Sequence, residues 1–312
     1  MEQRRLGTSG LRVPILGLGT NNFGSRSDES QSTRVLDQSI DIGATFIDTA
    51  VIYSNTLSEQ FIGRAIKGKR DKVILATKFG SVPIGGGNMA DASRKHIMES
   101  VEASLKRLQT DYIDLYQLHI PDMVTPLEET LRSLDDVIRQ GKVRYIGSCN
   151  YTGWFATEAE WTARTNRLNR FVSAQNYYNL LKRGVEKELI PACKHFGIGL
   201  IPYFPLESGV LTGKYKQGAP IPPGSRMDKA ANFRRSLTDA NFAKVAALEK
   251  FAKERGHTVG ELAIAWLASN PAVSTIICGA SSPEQVVENA KGLTWRLTPE
   301  DLKAIDAIAP VE

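Results

Sequence analysis

Asp48, Tyr53, Lys78 and His119 are the residues of this 312-residue chain whose types could combine into proton chemistry. Asp48 stands near the end of the β-rich run Thr45–Thr49, with Tyr53 just beyond it. Lys78 follows the run Val73–Thr77, and His119 follows Ile113–Leu118. Each alone has a plainer reading. An isolated aspartate caps a turn, a tyrosine packs on a rim, a strand-end lysine is solvated, and a histidine before Ile-Pro-Asp is structural. Their joint placement at three consecutive strand ends argues instead for a shared site. Period-two alternation puts Phe46 with Asp48 on one face, Ile74 and Ala76 with Lys78, and Ile113, Leu115 and Gln117 with His119. A carboxylate and a lysine form a partly buried pair. An ammonium beside a phenol favours phenolate, so Tyr53 is expected to be a stronger acid than its unperturbed pKa of about 10 allows. The imidazole can donate a hydrogen bond to a carbonyl oxygen. The set suits protonation of an oxyanion as it forms. No GxSxG nucleophile is present, so a hydride would come from a cofactor.

Such residues need a scaffold that brings strand ends together. Eight short β-rich runs fit: Ile15–Gly19, Thr45–Thr49, Val73–Thr77, Ile113–Leu118, Tyr145–Ser148, Val172–Asn176, Gly199–Pro202 and Val273–Ile277. Several are nearly apolar throughout, as parallel strands buried on both faces are. Helical patterns alternate with them. Ser93–Leu108 spaces Ile97, Val101, Leu105 and Leu108 for one helix face. Pro126 is placed at the start of the next helix and Gly141 at its end. Others are expected over Ser32–Ile42, Ser58–Lys67, Thr152–Thr165, Val185–His195, Thr238–Arg255, Val259–Ser269, Pro283–Ala290 and Pro299–Ile308.

The reading is α/β: a closed (β/α)8 TIM barrel forming one domain over residues 1–312. An open doubly wound sheet is the alternative, and the absence of GxGxxG after the first strand weighs against it. Arg4–Val13 reads as an N-terminal hairpin that plugs the barrel bottom. Gly80–Ala92 and Leu206–Leu237 exceed ordinary connections and follow strands 3 and 7, on the active-site rim.

Composition narrows the function classes. The net charge of +5 is dispersed, which suits small anionic ligands and gives no nucleic-acid patch. Cys149, Cys193 and Cys278 are scattered and odd in number, so neither a disulfide framework nor a zinc site is expected. The polar start MEQRRLGTSG and the lack of a membrane-length apolar run predict a cytoplasmic protein without membrane attachment.

Seven motifs occur in order: FIDTAVIY, ATKFG, LYQLHIPD, YIGSCNY, SAQNYYN, IPYFPLESGVLTGKY and GASSPEQVVEN. From Arg4 to Asn289 the chain resembles the aldo-keto reductase superfamily. PLESGVLTGKY and GASSPEQ bring it nearest the bacterial and fungal reductases related to potassium-channel β subunits. The resemblance implies reversible reduction of an aldehyde or ketone by NADP(H), with NAD(H) as the alternative cofactor. It makes Tyr53 the general acid, tuned by Lys78 and Asp48, with His119 orienting the carbonyl.

It also outlines a cofactor site. Gly19, Thr20 and Asn21 fall near the nicotinamide ribose, with Asp48. Asn150 and Gln175 match carboxamide ligands, and Tyr203 matches the aromatic stacked on the nicotinamide. Phe204, Leu206, Ser208, Gly209, Leu211, Lys214 and Arg226 surround the phosphates. Gly279, Ser281, Gln285, Glu288 and Asn289 match the adenosine end. Asn22 and Phe23 join Tyr53 and His119 as substrate contacts, while Trp154 and Trp161 are read as packing residues. The chain departs from the family at Cys149, often serine, and at Ser54-Asn55-Thr56, usually glycines. A long C-terminal loop that walls the pocket in some members is absent, so an open pocket edge is expected.

Two other classes compete. A cofactor-sensing regulatory subunit with little turnover is motivated by the channel-subunit resemblance; the complete tetrad opposes it. A metal-dependent hydrolase would need ligand spacings that the chain does not show. No metal is expected, and oligomeric state is not legible.

Overall fold

Residues 1–84 and 87–311 are described by a computed structural model of the chain. In chain order, β1 (Gln3–Arg5) and β2 (Arg12–Pro14) form an antiparallel hairpin. Then come β3 (Leu16–Gly19), β4 (Phe46–Asp48) and β5 (Ile74–Phe79), followed by a second hairpin, β6 (Ser81–Ile84) and β7 (Gly87–Ala90). The strands β8 (Ile113–Leu118), β9 (Val143–Cys149), β10 (Phe171–Tyr177), β11 (Gly199–Tyr203) and β12 (Ile276–Gly279) follow. Apart from the two hairpins, the eight strands pair in sequence order, all parallel, and close with β12 against β3. This is the expected TIM barrel. Residues 85 and 86 of the anticipated Gly80–Ala92 loop lie outside the described residues; its flanks form the second hairpin.

The barrel core has two layers, because alternate strand residues face opposite ways. Phe46, Ala76, Leu115, Ile201 and Ile277 fill the inside, with Leu6 and Val13 from the N-terminal hairpin beneath them. The hairpin therefore plugs the bottom as expected. Gly7 makes this close approach: its φ is +59°, and a Cβ there would stand 2.3 Å from the Gly197 carbonyl oxygen. The outer layer packs helices on strands. Helix Arg94–Leu108 buries Ile97, Val101, Leu105 and Leu108, and the Ser93 hydroxyl accepts from the His96 N–H at its start.

Some element boundaries differ from the sequence reading. Pro126 has an extended ψ of 128° and stands one place before the helix Leu127–Arg139. The segment Val185–His195 splits into a 3-10 turn, Gly184–Glu186, and a helix, Leu189–Phe196. The last barrel strand runs on to Gly279, carrying Cys278 and Gly279 to the rim, while Val273 only bridges Leu200. Trp154 and Trp161 are 51% and 55% exposed, so they are not the packing residues they were read as. Leu206–Leu237 is built from short turns, Glu207–Thr212, Arg226–Lys229 and Ala231–Ser236, on the C-terminal rim.

Candidate active site

Parallel pairing sets the register that gathers the chemistry. Asp48 pairs with Ala76 and Lys78 with Gln117, so these side chains enter the barrel at neighbouring heights. Lys78 and Asp48 are 1% and 2% exposed, and Lys78 Nζ lies 2.6 Å from Asp48 Oδ2. The same ammonium donates to the Thr49 carbonyl at 2.9 Å and to the Tyr53 hydroxyl at 3.1 Å. Three acceptors thus satisfy its three donors. Asp48 Oδ1 accepts from Gln175 Nε2 at 2.8 Å and from Gln117 Nε2 at 3.3 Å. Gln117 was placed on this face by its register, but its bond to Asp48 was not foreseen. Burial is the largest single influence on Lys78 and depresses its pKa, but Asp48, Tyr53 and Cys149 together outweigh it and hold the ammonium above the ordinary lysine range.

Tyr53 departs from expectation in one respect. Its pKa is raised, not lowered. Burial is the largest cause, and the Asp48 charge adds to it; Lys78 pulls the other way without prevailing. An ammonium already neutralised by a carboxylate projects little net charge onto a third group. The ammonium was expected to dominate, but burial of the phenol and the paired Asp48 charge decide the sign. The outcome is a phenol that stays protonated at neutral pH, which a proton donor requires.

Tyr53 is followed by three left-handed residues, Ser54, Asn55 and Thr56, at φ of 49°, 52° and 72°. This is the backbone region glycine prefers, at the positions where the resemblance implies glycines. Side chains in it cost about 1 kcal/mol each.

The His119 ring meets the Tyr53 ring edge-on, with centroids 5.9 Å apart. Burial, and then the Lys78 charge, push its pKa down to about 3. The imidazole is therefore neutral across the physiological range, and one of its nitrogens carries a hydrogen to donate. Its Nδ1 is buried without a partner in the protein. A stability consequence follows. In the unfolded chain His119 titrates near 6.5, so below that pH the unfolded state binds a proton that the native state refuses. Stability falls as pH drops from about 6.5 towards 3. In thermal melts across that window, His119→Asn should lose less stability than the parent; equal slopes would refute the assignment.

Above the tetrad opens a cavity of about 620 Å³. Most of the residues implied by the resemblance line it. Gly19, Thr20, Asn21 and Asn22 come from the end of β3, and Asn150 and Gln175 from the ends of β9 and β10. Tyr203, Phe204, Leu206, Ser208, Gly209, Lys214 and Arg226 come from β11 and the segment after it. Gly279, Ser281, Gln285, Glu288 and Asn289 close the far end. Phe23 and Leu211 do not join them: both are fully buried in the outer core. Their neighbours in sequence face the cavity while they anchor the loops beneath. Arg26 also lines the cavity and was not anticipated.

Several expected contacts already have protein partners. Asn150, at a left-handed φ of 60°, donates to the His119 carbonyl at 2.9 Å and accepts from the Tyr203 hydroxyl at 2.8 Å. Tyr203 stacks on Tyr177 at 5.3 Å. Cys149 lies at the cavity wall, 1% exposed. Burial holds its thiol well above the ordinary thiol range, so it is protonated rather than a reactive thiolate.

Glu207 is the residue whose role sequence reasoning missed, although it sits inside a quoted motif. Its carboxylate is fully buried and has no cationic partner among the described residues. It accepts from the Tyr177 hydroxyl, from Asn179 Nδ2 at 2.7 Å, and from the Ser236 hydroxyl. Tyr177 and Asn179 belong to the barrel side, and Ser236 ends the overhanging segment. Glu207 thus ties both ends of that segment to the barrel. Three donors need three acceptor sites, and a glutamine offers one oxygen with two. Glu207→Gln should therefore increase proteolysis within 213–236 several-fold and lower stability by about 1–3 kcal/mol. Unchanged proteolysis would show that the tie does not hold the segment.

A buried aspartate–lysine pair beneath a protonated tyrosine and a neutral histidine, at the C-terminal mouth of a TIM barrel, defines a site that donates a proton to an oxygen as it gains negative charge. Residues 15–310 match the model of the Aldo/keto reductase family, and the chain belongs to that family. It is 40% identical over 323 residues to a probable voltage-gated potassium channel subunit beta of Oryza sativa subsp. japonica, covering 99% of this chain and 96% of that one. It is 34% identical over 320 residues to the L-glyceraldehyde 3-phosphate reductase of Escherichia coli K12, covering 98% and 92%. It is 36% identical over 315 residues to an aldo-keto reductase of Bacillus subtilis, covering 99% and 93%. Among the described residues no helix is long and apolar enough to cross a membrane.

Proposed function

We propose that this protein reduces an aldehyde or ketone to the alcohol with NADP(H), using Tyr53 as the proton donor. The carrying observation is Lys78 Nζ, held between Asp48 at 2.6 Å and the Tyr53 hydroxyl at 3.1 Å. The cavity suits a dinucleotide. Arg26 and Arg226 have no carboxylate partner among the described residues, and Tyr203 offers an aromatic face at the wall. A nicotinamide cofactor, when bound in this cavity, would supply the hydride. Every other task falls to the protein.

The neutral His119 ring stands beside Tyr53, where both can donate to one carbonyl oxygen. Polarising that oxygen makes the carbon more electrophilic. As negative charge grows on it, the Tyr53 proton moves across. The phenolate left behind faces the Lys78 ammonium, which stabilises it until solvent returns a proton. Oxidation of an alcohol runs the same path in reverse, with the phenolate as base. Asp48 keeps Lys78 charged and fixed, and Gln117 and Gln175 fix Asp48. The E. coli relative suggests short hydroxylated aldehydes as a first panel.

The test is fluorescence titration with NADPH and NADH, then a carbonyl panel with the tighter cofactor. Tight NADPH binding with turnover of several aldehydes supports the reading. Tight binding with no turnover across the panel would overturn it in favour of a cofactor-sensing subunit, the reading that the rice relative's name motivates.

A further inference from the structure

A catalytic imidazole is ordinarily aimed by a hydrogen bond to one ring nitrogen, which leaves the other for the substrate. His119 lacks that support: its Nδ1 is buried and has no partner among the described residues. The hold is on its main chain instead. The His119 N–H donates to the Phe79 carbonyl, at the end of β5, at 2.8 Å. The His119 carbonyl accepts from Asn150 Nδ2 at 2.9 Å. Two neighbouring strand ends thus grip the residue from either side, and the Tyr53 ring meets its imidazole edge-on.

Asn150 is itself held. It follows β9 at a left-handed φ of 60°, a region that asparagine enters more readily than most residues. Its N–H donates to the Gln175 carbonyl at 3.0 Å. Its Oδ1 accepts from the Tyr203 hydroxyl at 2.8 Å. The two side-chain bonds fix which way the amide points. A carbonyl oxygen can only accept, so the Nδ2 end must meet His119, and the phenol donates to the end that remains.

Tyr203 has little freedom to move away. Its ring stacks on Tyr177, with centroids 5.3 Å apart and planes 16° apart, and the Tyr177 hydroxyl donates to Glu207. Burial, above all, pushes the Tyr203 phenol up to about 12, so it remains a donor at neutral pH.

We propose that Asn150, aimed by the Tyr203 hydroxyl, is a positioning residue for His119 and sets where the imidazole stands against the carbonyl to be reduced. The bridge rests on the proposed reductase function for its purpose, while its hydrogen bonds do not depend on it. Each end of the amide keeps one further hydrogen-bonding site, so a cofactor contact and the bridge can coexist. What the bridge adds is a dependence of His119 on one oxygen of Tyr203.

Tyr203→Phe is the decisive change, because it deletes that oxygen and keeps the ring and its stack. With NADPH saturating, the single-turnover rate of aldehyde reduction is expected to fall about tenfold, a fraction of the roughly hundredfold that a misplacement of about 1 Å can cost. NADPH affinity by fluorescence titration is expected to stay near the parent's. Asn150→Gly removes the amide and suits the left-handed backbone, and should lose at least as much rate. The double variant should be no slower than Asn150→Gly alone, since the hydroxyl acts only through the amide.

Nuclear magnetic resonance with histidine labelled at Cε1 reads the bridge without turnover. The chain has four histidines, and the His119 signal is the one missing from His119→Asn. In the cofactor-free protein that signal is expected to shift in both Tyr203→Phe and Asn150→Gly, with the other three unmoved. A His119 signal at its parental position in both variants would overturn the bridge, whether or not the parent reduces any aldehyde. So would a parental single-turnover rate in Tyr203→Phe, or losses in the two single variants that multiply in the double. If the parent turns over no aldehyde while the His119 signal moves, the reductase reading falls and the bridge stands.

Discussion

Tyr53→Phe is expected to lower kcat for carbonyl reduction by at least about a thousandfold, near the upper range for removing a positioned general acid. The substitution deletes one oxygen and little else. Lys78 Nζ keeps its bonds to Asp48 at 2.6 Å and to the Thr49 carbonyl at 2.9 Å, so the ion pair survives. One neutral hydrogen bond lost from a retained pair costs about 1 kcal/mol, too little to unfold the barrel. NADPH affinity should change less than about threefold, because the cationic groups on the cavity wall are untouched. Fluorescence titration and single-turnover reduction of one aldehyde check both halves. A variant that reduces the aldehyde at parental rate would remove Tyr53 from the mechanism.

The parent's pH profile sharpens the same point. Tyr53 stays protonated to a higher pH than a free phenol, and His119 stays neutral to well below pH 5. Neither group changes state between about pH 5 and 9, so single-turnover reduction should be nearly flat there. An acidic limb near pH 6.5 would place a charged histidine in the site.

The contrast between these residues and their surroundings shows what a sequence can carry. The tetrad was legible because its residue types are rare at strand ends and the strand period fixes which way they face. The barrel was legible because eight apolar runs alternate with helical spacing, and parallel pairing in sequence order follows. What escaped depended on depth. Tyr53 was expected to be more acidic because Lys78 is near, but burial and the Asp48 charge decide the sign. Phe23 and Leu211 have sequence neighbours that face the cavity, yet their own side chains point into the core. Arg26 lies alone in a Ser- and Gly-rich loop, with no pattern to mark it as a cavity residue. Glu207 looks like a surface acid until the return of Ser236 buries it. Trp154 and Trp161 show the reverse error, since a large apolar side chain on a helix does not say whether anything packs against it.

Lys78→Met is expected to be the most destabilising single change at the site, by about 3–5 kcal/mol, or roughly 10 °C in Tm. Methionine fits the volume but leaves the Asp48 carboxylate 2% exposed and without its cation. Gln175 and Gln117 still donate to Asp48, at 2.8 and 3.3 Å, but two amide dipoles do not replace a unit charge. Asp48 then has two ways out: it can take up a proton, or the barrel mouth can admit water. The first predicts that the variant loses stability as pH rises, because the native state then holds a proton that the unfolded carboxyl releases; the second predicts a loss that does not change with pH. The parent, with the Asp48–Lys78 pair intact, should lack this slope. The test is a pair of melts. Asp48→Asn combined with Lys78→Met removes both charges, and should recover most of the loss and abolish the pH slope, though not the activity. If the double variant is as unstable as Lys78→Met alone, the loss comes from packing, and the ion pair is not what holds the mouth together. Recovery would show that Asp48 and Lys78 act as one neutral unit. That unit leaves Tyr53 protonated in the resting site and holds an ammonium ready for the phenolate that follows.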